Sequence, residues 1–177
     1  MRKIILYIAC SLDGYIADSK GGVAWLDEIP NPDKSDYGYA AFYDSIDTVV
    51  MGNKTYQQVL GFGIGNPYDG KKTYVLSRNK PLIQSHHAEF ISQSIPEFLA
   101  ELKEASGNNI WCVGGGEINA LLLHYQLIDE IKIFIMPVLL GSGIPLTGSL
   151  DTKVNLELAH QCTYKSGVAA LFYIVKK

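Results

Sequence analysis

The stretch Asn109 to Leu123 (NIWCVGGGEINALLL) limits the fold more than any other part of the chain. Ile110 to Val113 form a short apolar run with β-branched and aromatic residues, as in a central strand covered on both faces. Three glycines follow, Gly114, Gly115 and Gly116. Lacking Cβ atoms, they tolerate positive φ and let another group approach the backbone closely. Glu117 then opens a helix whose apolar residues Ile118, Leu121, Leu122 and Tyr125 fall at helical spacing. Unpaired backbone N–H groups and the positive end of a helix dipole therefore face the open end of the strand, which attracts phosphate. The same residues also read as a tight strand-to-helix turn without a ligand. The strand before and the helix after are the context that a phosphate turn needs.

The remaining chain supplies the partners of such a unit. Arg2 to Cys10 is a strong strand, and Ser11-Leu-Asp-Gly-Tyr-Ile-Ala17 turns at Asp13-Gly14 before resuming extended structure. Asp18 to Lys34 is a long loop with Gly21-Gly22, Pro30 and Pro32. Its Trp25 reads equally as part of a lid over a site or as an anchor to the core. Ser35 or Asp36 caps a helix running to about Ser45. Asp47 to Met51 is a second buried strand, followed by Gly52-Asn-Lys-Thr55 and a short helix through Leu60. The glycines of the Gly61 to Gly65 loop follow a helix, so they make no dinucleotide fingerprint.

Lys72 to Ser77 is a strand ending in Ser77-Arg78-Asn79, and Ala88 to Ser92 is a shorter one. Ser94-Ile-Pro-Glu97 reads as a capping box for a helix to about Ala105. Asp129 to Leu140 is a long strand that leads into Gly141-Ser-Gly-Ile-Pro145. Val154 to Tyr164 and Val168 to Lys176 form a terminal hairpin around Lys165-Ser-Gly167. The alternation implies an α/β fold of three layers. A mostly parallel twisted sheet carries helices on both faces and ends in a C-terminal antiparallel hairpin.

Composition narrows the function. The 177 residues suit one domain over 1–177, with 47% hydrophobic and 19% charged residues. The net charge is −3 and no basic run exceeds two residues, which argues against nucleic acid as a partner. The apolar run Ile4 to Leu12 is too short to span a membrane, and no cleavage site follows it, so a cytoplasmic protein is expected. Cys10, Cys112 and Cys162 read as buried apolar residues in a reducing compartment. No metal-ligand spacing is visible, and His86-His87 reads as a solvated loop.

Ligands of parallel sheets bind at the carboxyl ends of the strands. Gly52, Asn53, Lys54 and Thr55 offer N–H groups, an ammonium and a hydroxyl there. Ser77 and Arg78 offer a hydroxyl and a guanidinium, and Gly114 to Gly116 offer bare backbone at a helix N-terminus. Two phosphate-friendly turns with two separated cations suit a long polyphosphate. A dinucleotide with an added ribose phosphate matches, with Lys54 and Arg78 as charge partners.

Five stretches in order resemble the dihydrofolate reductase-like fold, and in particular the reductase domain of the bacterial riboflavin-biosynthesis deaminase–reductase and its stand-alone relatives. They are Ser11 to Ala17, Val49-Val-Met-Gly52 with Lys54-Thr55, Val75-Leu-Ser-Arg78, Val113-Gly-Gly-Gly-Glu117, and Pro137 to Leu146. The resemblance implies an NADPH-dependent hydride transfer to a small heterocycle of pterin, pyrimidine or related type. It implies that Asn53, Lys54, Thr55, Ser77 and Arg78 hold the adenosine phosphate. Gly114 to Gly116, with Glu117 and Ile118 opening the helix, would cradle the pyrophosphate beside a strained Gly-Gly peptide. Asn53 departs from the arginine usual in folate reductases, so the charge must come from Lys54 or Arg78. No deaminase-type Cys/His zinc motif is present, which sets the chain apart from the two-domain riboflavin enzyme.

The reaction also needs a proton source. Asp36 falls near the acidic position of folate reductases, although a helix cap accounts for it completely. Asp13, in the Ser-Leu-Asp-Gly loop, is the other catalytic candidate, and equally reads as a turn residue. Asp27 and Glu28 rank after them. A carboxyl buried among Trp25, Phe42 and Tyr39 would have the raised pKa a donor needs. Two alternatives stay open: a non-catalytic NADP(H)-binding sensor or assembly module, and a genuine dihydrofolate reductase. Relatives of this fold pair through a sheet edge. A homodimer is therefore expected, through an edge formed by Ile131 to Leu140 and Val168 to Val175.

Overall fold

The computed structural model describes residues 1–63, 65–78 and 87–177. Eight strands form one sheet in the order β5-β4-β3-β6-β1-β7-β10-β9. They are β1 (Ile4–Ser11), β3 (Ile46–Gly52), β4 (Lys72–Leu76), β5 (Glu89–Ile91), β6 (Asn109–Gly114), β7 (Ile128–Met136), β9 (Asn155–Thr163) and β10 (Ala169–Lys176). The strands from β5 to β7 run parallel, whereas β10 is antiparallel to both β7 and β9. A small second sheet pairs β2 (Tyr15–Ala17) with β8 (Ile144–Pro145).

Helices cover both faces. Leu99 of α3 (Ile95–Glu104) and Leu122 of α4 (Gly116–His124) pack with Ile4, Leu6, Val50, Ile110 and Cys112. Phe42 of α1 (Tyr39–Asp44) and Tyr56 and Val59 of α2 (Asn53–Gly61) pack with Ile5, Val49, Met51, Val75 and Trp111 on the opposite face. Alternate residues of one strand thus serve opposite layers. This is why the central strands read as unbroken apolar runs.

Several boundaries differ from expectation. The helix expected from Asp36 starts at Tyr39, because Lys34 (φ 50°) and Tyr37 (φ 56°) take left-handed backbone. The Ser94 capping box does not form. Ser94 itself has φ 47° and makes no side-chain cap bond, for its backbone is not in the extended form an N-cap uses. The strand expected to reach Leu140 ends at Met136. The proposed dimer edge is also corrected: β7 and β10 lie inside the sheet, and the edge at that end is β9, whose residues are largely exposed. Strands apolar on both faces belong in the interior, while β9 carries Asn155, Glu157 and Gln161 outward. Ile64, Asn79 and His86 lie outside the described residues.

Buried charge gathers at the amino ends of the strands. The Arg2 guanidinium, on a buried side chain, pairs with Asp47 and donates to Thr48 Oγ1 (2.6 Å) and Asn108 O (2.5 Å). Lys103, also buried, pairs with Asp129 (2.7 Å), and Lys177 reaches the same carboxylate (2.6 Å). Burial opposes ionisation of Asp129, but the two ammonium groups and the Ile4 N–H outweigh it and hold its carboxyl below the usual range. A depressed folded pKa contributes stability that is present above the unfolded value of about 3.9. That stability is lost as pH falls through the folded value. Asp129→Asn is therefore expected to flatten the acid limb of a urea-unfolding pH series, and an unchanged limb would remove this assignment.

Candidate functional site

The opposite, carboxyl edge carries the candidate site. Strands β4, β3 and β6 are neighbours, with Gly52 beside Leu76 and Met51 beside Gly114. The three expected strand ends therefore meet at one place, and the cofactor-binding candidates Gly52 to Thr55, Ser77, Arg78 and Gly114 to Ile118 share one edge. Helices α2 and α4 start there with Gly52 and Gly115 as N-caps, and no side chain caps either one. At the start of α4 the Ile118 and Asn119 N–H groups donate to Gly115 O (both 2.9 Å), and the positive dipole ends of both helices lie at this edge.

The two turns are closely fitted. A Cβ on Gly52 would stand 2.9 Å from Ile118 Cγ1, so a side chain at residue 52 would have to push Ile118 of α4 aside. Gly114 has φ 106°, and the Gly114–Gly115 peptide is cis. A Cβ on Gly115 would lie 3.4 Å from Thr55 Oγ1 and 3.7 Å from Ile16 Cδ1, which marks a narrow crevice between the two helix starts. At its mouth Glu117 draws Lys54 (3.7 Å) and Arg78 (3.4 Å) together. All three side chains are well exposed, at 90% for Lys54 and 87% for Arg78, so the contacts hold the cations without locking them.

Neither proposed catalytic carboxyl has a proton donor's surroundings. Asp13 is exposed and accepts from Ser11 Oγ (2.6 Å), Gly141 N–H (2.7 Å) and Leu140 N–H (3.1 Å). The Ser11 hydroxyl and these amides lower its pKa. Asp36 is also exposed, and the N–H groups of Ala40 (3.0 Å) and Gly38 (2.9 Å) lower its pKa. The raised pKa expected for a carboxyl among Trp25, Phe42 and Tyr39 is thus not found at Asp36. Asp36 instead bonds the first turn of α1 from outside. Asp27 and Glu28 are exposed.

Trp25 anchors its loop. It lies in a 3-10 turn (Ala24–Leu26), is 8% exposed, and packs on Phe134, Met136, Val168 and Ala170. Its indole N–H is buried with no acceptor among the described residues. Nearby, Tyr7 stacks on Phe42 at 4.2 Å between ring centroids and meets Phe134 at 4.7 Å. Tyr39 meets Tyr7 and Trp111 edge-on and keeps a partly exposed ring. Cys10 and Cys112 are buried and Cys162 is half-buried, all as free thiols, and burial pushes Cys112 up to about 12. Among the described residues no three His, Cys, Asp or Glu side chains are grouped to hold a metal ion. No described helix is long and apolar enough to cross a membrane.

Two features had no role assigned from sequence. Asn119, fully buried in α4, donates to Leu146 O (2.7 Å). A polar amide inside the apolar run Ile118 to Leu123 is the signal that marks it. The segment 137–148, whose motif was visible, folds over the glycine turn. A Cβ on Gly116 would run into the Pro145 carbonyl oxygen.

A family model described as the RibD C-terminal domain matches residues 68–170. The uncharacterized protein YwjB of Bacillus subtilis (strain 168) is 41% identical over 157 residues, covering 89% of each chain. A solved putative riboflavin biosynthesis protein from Shewanella sp. PV-4 is 32% identical over 100% of both chains, with a TM-score of 0.88. Dihydrofolate reductase from Enterococcus faecalis, solved with NADP(H), is 19% identical with a TM-score of 0.71, covering 99% of this chain and 97% of its own. The fold is that of the dihydrofolate reductase-like proteins.

Proposed function

This chain belongs to the RibD C-terminal domain family, and on that premise we propose that it is a single-domain NADPH-dependent reductase transferring a hydride to a small flat heterocycle of pyrimidine or pterin type. One observation carries the reading. Two uncapped helix starts lie side by side across the Thr55–Gly115 crevice, with two cations gathered at its mouth. The helix starts would take the diphosphate, and Lys54 and Arg78 the ribose phosphate. Such a grip holds the nicotinamide in one orientation, which hydride transfer needs. The partly exposed Tyr39 ring offers a stacking surface for a flat substrate.

The deciding experiment is a fluorescence titration of the purified protein with NADPH and, separately, NADH. Micromolar binding with a clear preference for NADPH is expected; binding of neither nucleotide would end the enzyme reading.

A second reading rests on the two carboxylates. Asp13 and Asp36 are both held ionised by hydrogen-bond donors. A non-catalytic NADP(H)-binding sensor or assembly module would need no proton source. NADPH oxidation with any member of a pterin and pyrimidine panel would remove that alternative. Genuine dihydrofolate reduction is the weaker alternative, since Asp36 does not supply a buried, protonated carboxyl. Self-association belongs to the same proposal. The nine-residue edge β9, with Leu156 and Leu158 exposed, is where a second copy would add. Sedimentation of a monomer at all micromolar concentrations would exclude it.

A further inference from the structure

The segment 137–148 behaves as a strap between the loop after β1 and the start of α4. At one end both carboxylate oxygens of Asp13 are used on it, accepting from Leu140 and Gly141. In the middle, β8 pairs with β2, and Leu146 N–H donates to Gly14 O (2.8 Å). At the far end Gly148 N–H donates to Gly116 O (2.8 Å), and Asn119 Nδ2 donates to Leu146 O (2.7 Å). Asn119 Oδ1 turns the other way, to 3.6 Å from Cys112 Sγ and 3.1 Å from where a Cβ on Gly114 would stand. One buried amide thus touches the end of β6, the glycine turn and the strap.

We propose that this strap sets the aim of the glycine turn, with Asp13 and Asn119 as positioning residues for a bound diphosphate. The inference rests on the reading of the crevice as a dinucleotide site. No side chain caps α4, so the direction of its first-turn N–H groups depends on what holds Gly114 to Gly116 from behind. The strap does so through backbone contacts at Gly116 and the Asn119 amide. Its other end is held by a carboxylate, and hydrogen bonds to an ionised acceptor are about twice as strong as neutral ones. The strap is short and pinned along its length. Release at residues 140–141 should therefore be felt at residues 146–148 and in the turn behind them.

The test compares the wild type with Asp13→Ala, Asp13→Asn and Asn119→Ala by amide hydrogen exchange, NADPH titration and the pH profile of any turnover. Asp13→Ala is expected to speed exchange at Leu140 and Gly141, and also at Leu146, Gly148 and the two bonded amides at the start of α4, Ile118 and Asn119. NADPH should bind about tenfold more weakly, the scale of losing a charge-assisted hydrogen bond. Asp13→Asn keeps one acceptor oxygen and should fall between. Exchange confined to Leu140 and Gly141 in Asp13→Ala would overturn the proposal, even if Asn119→Ala fails to fold. So would NADPH affinity unchanged in folded Asp13→Ala. Loss of one limb of the pH profile in Asp13→Asn, with affinity unchanged, would make Asp13 a proton donor and overturn it too. If the wild type binds no NADPH, the function reading fails, while the exchange data still decide whether the strap and the turn move together.

Discussion

Protein carrying Lys54→Glu together with Arg78→Glu is expected to bind NADPH at least about a hundredfold more weakly than the wild type. NADH affinity should change by less than about threefold. Both expectations follow from the strength of charged hydrogen bonds to phosphate. The cations come from different strand ends, after β3 and after β4, and Glu117 gathers them at the mouth of the crevice. NADH lacks the ribose phosphate they would hold, so it should be nearly blind to their reversal. The fold should be equally indifferent, because exposed ion pairs contribute little to stability. Glu117→Gln tests the same point with the opposite sign. It frees both cations from a competing carboxylate and should modestly strengthen NADPH binding, more at low ionic strength. Titrations at two salt concentrations check both. Equal losses for NADPH and NADH in the double variant would mean the cations face some other part of the ligand.

The second large effect is one of shape. Gly116→Ala is expected to destabilise the protein by roughly 1–3 kcal/mol, as overpacking does. The melting temperature should then fall by about 2–10 °C in a chain of this size. Helix propensity alone argues the reverse, since alanine is worth about 0.5–1 kcal/mol over glycine inside a helix. Contact decides the sign. The new methyl group would meet the Pro145 carbonyl oxygen, and the strap cannot yield cheaply while Gly148 bonds Gly116 and β8 pairs with β2. A melting temperature at or above the wild type would show that the strap relaxes freely, contrary to the fit described.

What was legible in the sequence follows from the range of the interactions involved. The central strands declared themselves through apolar runs, and the glycine turn through three missing side chains between a strand and a helix. The sheet order was less accessible. Ile131 to Leu140 and Val168 to Val175 look adhesive, and taken locally they suit an edge. Their apolarity instead reflects neighbours on both sides. α1 starts later than its sequence suggests because the left-handed backbone at Lys34 and Tyr37 has no sequence signature comparable to a glycine. Within the site, cations at strand ends could be read because the fold class brings strand ends together. Asn119 could not, since its meaning lies in a partner 27 residues away. Asp13 and Asp36 were visible as carboxylates, but their protonation depends on amides that only the folded loops deliver.

The position of β1 has a consequence for how the protein is made. Ile4 lies between Ile110 of β6 and Ile128 of β7, so neither neighbour of the first strand exists until most of the chain has left the ribosome. Meanwhile β3, β4 and β5 can begin to assemble with α2, but the apolar segment Ile4 to Ile8 must wait unpaired. Contacts of such long sequence separation make folding slow, and the waiting strand is a natural target for chaperones or for aggregation. Faster translation or higher temperature should therefore cost soluble yield before either affects the finished protein.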